Sequence, residues 1–325
     1  MSAVAEGARI GVGESAGGRM PVLYIGGSGR SGTTLLERVV GQLPGVFPVG
    51  ELVFLWGRGV REDQLCGCGD RFSACPFWRE VGDRAFGGWD RLDLDEVLAL
   101  QRVVDRNRFI PLMLASGAPG RYRADLARYA DYLLPVYRAA LAVSGARIVV
   151  DSSKHASTAF LLGRLGGLDA RVVHMVRDSR GVAYSWTKQV RKPEVVAGES
   201  YMPRYHPGRQ SLYWLAFNVM FEALPASGVP VMRLRYESLL RDPRAEVERV
   251  ARFAGLDVDE ESLAFLGERS VDLAPNHTVS GNPMRFKVGR LDLRMDDAWR
   301  RELPRSQAAF VHAVTWPLQR RYGYR

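Results

Sequence analysis

A short apolar run followed by a glycine-rich turn constrains the fold of this chain more than any other stretch. The run Val22-Leu23-Tyr24-Ile25 has the residue types of a buried strand, and helical spacing of apolar residues begins near Thr33. Between them lie glycines at positions 26, 27, 29 and 32. Glycine adopts positive φ angles and lets a ligand approach the backbone closely, and the first turn of a helix attracts anions. The stretch therefore predicts a strand, a loop that cradles a phosphate, and a helix.

The loop fits a known phosphate-binding template with one departure. In the pattern G-x-x-x-x-G-K-[ST], which Gly27 to Thr34 otherwise match, Thr33 stands where the lysine belongs. That lysine reaches the β- and γ-phosphates of nucleoside triphosphates, so its absence argues against ordinary triphosphate hydrolysis. Arg30 supplies a cation elsewhere in the loop. A glycine-rich turn that only packs a helix against a strand is the alternative.

Composition sets wide limits on the function. The chain has 325 residues, of which 46% are hydrophobic and 25% charged, as in ordinary globular domains. The net charge of +9 suits an anionic ligand, but basic residues are scattered and no nucleic-acid-reading motif is present. No apolar stretch approaches the roughly 20 residues that a membrane span needs. We expect no nucleic-acid partner and no membrane span, and the sequence does not indicate an oligomeric state.

The chain ends and the cysteines add expectations about organisation and location. Residues 1–20 are rich in Gly, Ala and Ser and lack the apolar core of a signal peptide, so we expect a disordered lead-in. The three cysteines do not make a disulfide framework, which favours the cytoplasm. Cys66, Cys68 and Cys75 could bind zinc only with a fourth ligand that the sequence does not identify. A disulfide or free thiols are the alternatives.

Strands alternate with helices along most of the chain. Strands are predicted at 46–49, 147–151, 171–177 and 229–236, with helices at 94–104, 125–143, 156–165, 210–224, 237–254 (interrupted near Asp242-Pro243) and 297–320. This alternation predicts one α/β domain over residues 21–325, with a mostly parallel sheet covered by helices on both faces and a helical and loop insertion at about 52–146. Ligands of such sheets bind at the carboxyl ends of the strands. The phosphate loop, Glu51, the segment 151–154 and Arg177 all fall there.

A second phosphate-binding pattern follows a later strand. Arg177 lies at the predicted end of that strand, and Ser185 lies about two turns into the next helix. An arginine fork and a hydroxyl in these positions could hold a second phosphate about one nucleotide away from the first. The alternatives are that Arg177 pairs with Asp178 and that Ser185 is a solvated helical residue.

These two stretches resemble the PAPS-dependent sulfotransferases, especially the bacterial and carbohydrate-type branch. The loop Gly29–Leu36 looks like the family's site for the 5′-phosphosulfate of PAPS (3′-phosphoadenosine 5′-phosphosulfate), and the stretch Val173–Ser185 looks like its 3′-phosphate element. The resemblance covers about residues 22–290. Ser179 replaces the family's usual proline, and Thr33-Thr34 replaces the Ser-Ser common in the carbohydrate branch.

The resemblance implies a donor, a reaction and a set of binding residues. The donor would be PAPS, its sulfuryl group would pass by in-line attack to a hydroxyl of a carbohydrate or small natural product, and no metal would be required. The 5′-phosphate would be held by Gly29, Arg30, Ser31, Gly32, Thr33 and Thr34, and the 3′-phosphate by Arg177 and Ser185. Arg30 would also act in catalysis, because donors around the departing 5′-phosphate stabilise the transition state more than the ground state.

Further residues are candidates for catalysis or for closing the site. Glu51 looks like the carboxylate that acts as base in heparan-type relatives, and Lys154 resembles a family lysine near the sulfonate. Their alternatives are a paired loop glutamate and a surface cation. His155 and His174 are weaker candidates for the base, and we expect His174 to be packed within its strand. The segment 277–287 could close over the nucleotide with Arg285 on a phosphate, or it could be a surface connector.

Two other functions stay open at this point. A phosphotransferase with the same loop could use the strand ending at Asp151 to bind magnesium. A non-enzymatic protein could bind anions or nucleic acid in the same basic cleft. The acceptor is not identified by the sequence. Aromatic side chains could stack on a sugar or aryl ring or could equally belong to the core, among them Trp56, Tyr201, Tyr205 and Trp214.

Overall fold

Five parallel strands form the central sheet of the computed structural model, which describes residues 18–114, 119–191 and 201–324. Most of the predicted lead-in, residues 1–17, lies outside the described residues, and so do residues 192–200. The strands are β1 (Met20–Gly26), β2 (Val46–Gly50), β3 (Ile148–Lys154), β4 (Leu168–Val176) and β5 (Val231–Arg235). Their order across the sheet is β2-β3-β1-β4-β5, with parallel pairing throughout. The predicted parallel sheet is confirmed.

Helices cover both faces of this sheet. They are α1 (Thr33–Val40), α2 (Pro76–Phe86), α3 (Leu94–Val104), α4 (Ile110–Leu114), α5 (Gly120–Ser144), α6 (Ala156–Arg164), α7 (Ser179–Ser185), α8 (Pro207–Ala223), α9 (Tyr236–Arg241), α10 (Pro243–Ala254), α11 (Trp299–Glu302) and α12 (Arg305–Arg321). A separate antiparallel pair, β6 (Ser270–Leu273) and β7 (Gly289–Asp292), lies outside the central sheet. Among the described residues, no helix is long and apolar enough to cross a bilayer.

The alternation of side chains along β1 separates two hydrophobic cores. Val22 and Tyr24 pack with α2, α3, α5 and α6 on one face, whereas Leu23 and Ile25 pack with α1, α9 and α10 on the other. All four side chains are almost completely buried. A strand that is buried on both faces reads as a continuous apolar run, and this is why β1 was predictable from the sequence. The segment 52–146 supplies α2 to α5 and thus covers only the first of these faces.

Several predicted boundaries agree with the structure and others do not. The predicted helix at 94–104 coincides with α3, and the predicted interruption separates α9 from α10, where the Asp242 side chain accepts a hydrogen bond from the Ala245 amide at 3.1 Å. Helix α2 belongs to the predicted insertion at about 52–146 but was not predicted as a helix of its own, and Pro76 occupies its first turn, where proline is tolerated. The last helix starts at Arg305, later than predicted, because Pro304 separates it from the short α11.

A buried glutamate connects the first helix to the ends of two strands. Glu37 on α1 is fully buried, and its carboxyl group accepts hydrogen bonds from the Gly50 amide and the Ser152 hydroxyl, both at 2.8 Å. Burial raises the pKa of Glu37 to about 8, although both hydrogen bonds act to lower it. The side chain is therefore mainly a neutral acid at pH 7. It holds the phosphate-loop helix α1 against the ends of β2 and β3.

This arrangement makes the stability of the fold depend on pH through Glu37. Its pKa is about 8 in the folded protein and near 4.5 when unfolded, so its contribution is complete below pH 4.5 and is lost as the pH rises through 8. Glutamine can accept from the Gly50 amide and donate to the Ser152 hydroxyl without titrating. We expect Glu37→Gln to gain stability relative to the parent between these pH values, by at most about 1.4 kcal/mol per pH unit.

Urea denaturation of both proteins at about pH 5, 7 and 9 measures this difference. The control is Glu248→Gln on the exposed face of α10, whose curve should stay parallel to that of the parent. If Glu37→Gln also runs parallel to the parent, Glu37 is ionised in the folded protein and this account of it is wrong.

Candidate active site

The strand order places the predicted site residues in a row along one edge of the sheet. The phosphate loop follows the central strand β1; Lys154 ends the neighbouring strand β3, and Glu51 follows β2 beyond it. On the other side of the loop, Arg177 follows β4. A cleft of about 610 Å³ opens at this edge, and its lining includes Gly27 to Arg30, Gly32 to Leu35, Glu51, Lys154, His155, Arg177 and Ser185. The structure thus brings together most of the residues predicted from two separate motifs.

The phosphate loop has the backbone geometry of an anion site. Helix α1 begins at Thr33 after Gly32, which has a φ of 93° and provides no side-chain cap. An uncapped helix start leaves amide groups available to an anion, and the helix dipole adds to the attraction. Gly27, with a φ of 142°, lies so close to β4 that an added Cβ would be 2.3 Å from the carbonyl oxygen of Met175. The loop therefore requires glycine at this position.

Two cationic residues of the cleft have strained backbones. Among the described residues, the non-glycine residues with a left-handed backbone are Arg30 (φ 70°), Lys154 (φ 68°) and Asp63 (φ 47°). Arg30 and Lys154 both line the cleft. Long side chains rarely adopt this conformation, and it persists where the surrounding structure enforces it, often at functional sites. The fold thus holds these two cations at the cleft at a cost in backbone energy.

Arg30 is held mainly by contacts without a negative partner. Its guanidinium lies 5.0 Å from the ring centre of Trp186, and Nη2 is 3.1 Å from the sulfur of Met202. Its Nε is buried and has no hydrogen-bond partner among the described residues. Burial, followed by the charge of Arg177, lowers the pKa of Arg30. An anion in the loop would relieve both effects.

Arg177 is paired with an acidic residue that the sequence analysis did not find. Its Nη2 donates to a carboxylate oxygen of Asp296 at 3.1 Å and to the backbone carbonyl of the same residue at 2.9 Å. Lys188 lies 3.3 Å from the same carboxylate, and the ring of Tyr236 lies 4.5 Å from the Arg177 guanidinium. Burial acts to raise the pKa of Asp296, but Arg177 and Lys188 outweigh it and hold the pKa below its usual value. The predicted alternative, a pair between Arg177 and Asp178, does not form; Asp178 pairs with Arg180 instead.

Glu51 and Lys154 form an ion pair at the opposite side of the loop. Nζ of Lys154 donates to Oε1 of Glu51, and the Glu51 side chain is only 5% exposed. His155 follows directly and also lines the cleft, and burial lowers its pKa. His174 lies within β4, where it contacts Asn218 at 2.8 Å and stacks on a phenylalanine ring away from the cleft. Glu51, Lys154 and His155 are therefore the groups near the loop that could move a proton.

Arg285 does not lie where the sequence analysis expected it. Arg285 is almost fully buried and donates to the carbonyl oxygens of Thr278 and Leu65, each at 2.6 Å. It does not line the cleft, so the prediction that it contacts a phosphate is corrected: it holds the backbone of its own segment at Thr278 against the backbone at Leu65. Gly281, Asn282 and Met284 of this segment do line the cleft.

Asp151 and Trp56 also lie in the interior. Asp151 is fully buried, accepts from the hydroxyl groups of Tyr137 and Ser153 at 2.5 Å, and has its pKa raised by burial to about 6. This removes the support for a magnesium-binding strand, because the carboxylate faces the core. Trp56 is fully buried as well and donates to the Tyr129 hydroxyl at 3.1 Å. Tyr205 and Trp214 line the cleft, as predicted for ring-stacking residues, whereas Tyr201 does not.

Comparison with known proteins agrees with this geometry. No curated protein sequence matches the chain. A solved structure titled as the sulfotransferase domain from the curacin biosynthetic pathway is 18% identical, with a TM-score of 0.50 and coverage of 94% of this chain and 99% of that one. The sulfotransferase domain from the Synechococcus PCC 7002 olefin synthase is 19% identical, with a TM-score of 0.49 and coverage of 94% and 96%. At such low identity, the first likeness shows a shared fold only.

The family itself is established by sequence. A family profile described as the sulfotransferase domain matches residues 22–271, which is well over half of the chain. The matched range includes the phosphate loop, the strands β3 and β4 on either side of β1, and Arg177. The chain therefore belongs to the sulfotransferase-domain family.

Proposed function

We propose that this sulfotransferase takes the sulfuryl group from PAPS and transfers it to a hydroxyl group of a small acceptor, a carbohydrate or a small natural product. The proposal rests on one observation: two sites with positively charged side chains, each suited to an anion, follow the ends of the neighbouring strands β1 and β4. The phosphate loop with Arg30 follows β1, and Arg177 with Ser185 follows β4. PAPS carries phosphate groups at both its 5′ and 3′ positions. A nucleoside triphosphate has no 3′-phosphate for the second site, and the loop lacks the lysine that would reach its γ-phosphate.

The loop would stabilise the leaving group. When an acceptor oxygen attacks sulfur, the bond between sulfur and the bridging oxygen breaks, and negative charge grows on the 5′-phosphate. The amides at the start of α1, the hydroxyls of Thr33 and Thr34, and Arg30 are the donors in reach of that charge. Because the fold fixes them before the reaction, they stabilise the transition state with little reorganisation.

The ion pair would serve the acceptor side. Glu51 would accept the proton of the attacking hydroxyl, and Lys154 would turn to the sulfonate oxygens once the donor is bound. The cleft is also lined by the aromatic side chains of Phe54, Tyr205, Tyr213 and Phe217, and the ring of Phe54 lies 5.9 Å from that of His155, beside this pair. Rings of this kind suit the apolar face of a sugar or an aromatic acceptor.

The proposal is tested by nucleotide binding without metal. Isothermal titration in a buffer without added magnesium or other divalent metal should show that adenosine 3′,5′-bisphosphate binds at least about tenfold more tightly than adenosine 5′-monophosphate, since a charge-assisted contact is worth about 1.5–3 kcal/mol. ATP with magnesium is the comparison for a phosphotransferase. Binding of magnesium-ATP together with no preference for the bisphosphate would reject the proposal.

The second anion site makes a paired prediction. Arg177→Ala should weaken binding of the bisphosphate by about 1.5–3 kcal/mol and leave the affinity for adenosine 5′-monophosphate nearly unchanged. Asp296→Asn should have the opposite effect, because the Asp296 carboxylate competes with the 3′-phosphate for Arg177 and Lys188. We expect the bisphosphate to bind this variant several-fold more tightly.

The neighbouring residue provides the matched control. Asp297→Asn removes the same charge from an exposed side chain of the same loop. If Asp297→Asn and Asp296→Asn change affinity equally, only the overall charge matters and Arg177 is not the 3′-phosphate site. If Arg177→Ala lowers the affinities for the bisphosphate and the monophosphate equally, Arg177 is likewise not the 3′-phosphate site.

The proposed base makes a separate prediction about turnover. Glu51→Gln keeps the size of the side chain and removes its basicity, so turnover with an acceptor found by radiolabelled PAPS screening should fall roughly 10²- to 10⁴-fold. Bisphosphate affinity should stay within about twofold of the parent, because Glu51 lies on the far side of the loop from Arg177. Near-normal turnover of this variant would show that Glu51 is not the base and would make His155 the next candidate to test.

A further inference from the structure

The three cysteines of the chain meet one histidine from a distant segment. Ligand atoms of Cys66, Cys68, Cys75 and His277 all lie within 4.8 Å of one another. We call these residues the cysteine–histidine cluster. The Cys75 sulfur is 3.2 Å from Nδ1 of His277, the Cys66 sulfur is 4.0 Å from the same nitrogen, and the sulfurs of Cys68 and Cys75 are 3.8 Å apart. All three cysteines are free thiols.

These distances fit the edges of a tetrahedron around a zinc ion. With Zn–S bonds of about 2.3 Å and Zn–N bonds of about 2.0–2.1 Å, tetrahedral geometry separates two sulfurs by about 3.8 Å and a sulfur and a nitrogen by about 3.5 Å. The observed separations of 3.8, 3.2 and 4.0 Å lie around these values. The sequence spacing supplied three ligands, and the fold supplies the fourth.

The surrounding contacts hold the cluster in shape. The backbone carbonyl of His277 accepts a hydrogen bond from Nε1 of Trp78 at 2.7 Å, and the imidazole ring of His277 stacks on the ring of Phe77 at a centroid distance of 5.4 Å. These contacts orient Nδ1 of His277 toward the sulfurs. Gly67 lies so close to the histidine segment that a Cβ there would be 2.0 Å from the side-chain oxygen of Asn276. Its amide donates to the carbonyl of Thr278 at 2.9 Å. Ligands fixed by their neighbours in this way are typical of metal sites.

We propose that the cysteine–histidine cluster binds one zinc ion in a structural Cys₃His site. Thiolates and imidazole are the ligands that zinc prefers, and four protein ligands leave no open position for catalysis. Cys66 and Cys75 are fully buried, so the ion would be shielded from solvent on that side.

The site would tie the loop at 66–75 to the segment that forms one wall of the cleft. Four residues beyond His277, Gly281 and then Asn282 line the cleft, and the Val279 amide donates to the carbonyl of Val49 at the end of β2 at 3.0 Å. The zinc would therefore stabilise the part of the cleft wall formed by Gly281 and Asn282, near Glu51, from the side that faces away from the cleft. This role does not depend on the identity of the donor or the acceptor.

Metal content and cobalt spectroscopy test the site in the whole 325-residue chain. Protein expressed with added zinc and purified with a reductant should contain about one zinc per chain by elemental mass spectrometry. After zinc is removed with a chelator, titration with cobalt(II) should give the intense visible bands of tetrahedral cobalt together with thiolate-to-cobalt charge transfer, saturating at about one equivalent.

Variants identify the ligands. Cys68→Ser and His277→Asn should lower bound zinc to a small fraction of that in the parent, and the parent should lose thermal stability with chelator while the variants lose less. His312→Asn, which alters a histidine of α12 outside the cluster, should retain the zinc content of the parent. If the ligand variants do not fold, the cobalt titration of the parent alone decides. Absence of zinc with octahedral cobalt spectra, or zinc content unchanged in both ligand variants, would overturn the proposal.

Discussion

Parallel pairing of β1 with β3 and β4 is the constraint on which the cleft depends. It places the carboxyl ends of the strands at one edge, so groups more than a hundred residues apart in the chain become neighbours. The order β2-β3-β1-β4 then sets their sequence across the cleft, with Glu51 and Lys154 on one side of the phosphate loop and Arg177 on the other. For the proposed reaction, this order separates the acceptor side from the nucleotide side, and the leaving phosphate lies between them.

The electrostatics of the cleft point to an anionic ligand. Arg30 lies half-buried near Arg177, its buried Nε has no hydrogen-bond partner among the described residues, and both Arg30 and Lys154 have strained backbones. The Asp296 carboxylate pairs with both Arg177 and Lys188. Under the proposed function, the 3′-phosphate would replace this carboxylate, so ligand binding would exchange one anion for another without leaving Arg177 buried and unpaired. The aspartate then lowers affinity while keeping the empty site stable.

The predictable part of this protein was local in sequence. The apolar run of β1, the glycines after it and the proline between α9 and α10 have conformational consequences that do not depend on distant residues. What sequence reasoning missed depends on tertiary closure: Asp296 reaches Arg177 across 119 residues, and His277 reaches Cys75 across 202. The prediction for Arg285 was wrong because the sequence of a segment rich in Gly and Pro does not distinguish an arginine that binds a ligand from one that, as here, donates to backbone carbonyls. For the proposed zinc site, the sequence showed three cysteine ligands and so indicated that a fourth ligand had to come from elsewhere in the chain.

A crystal structure with adenosine 3′,5′-bisphosphate, grown without added magnesium, tests the central claim most directly. The account predicts the 5′-phosphate on the amides between Gly29 and Thr34, the 3′-phosphate on Arg177 and Ser185, and the Asp296 carboxylate displaced from Arg177. A nucleotide bound with the ion pair of Arg177 and Asp296 intact, or with its 5′-phosphate outside the loop, would contradict it.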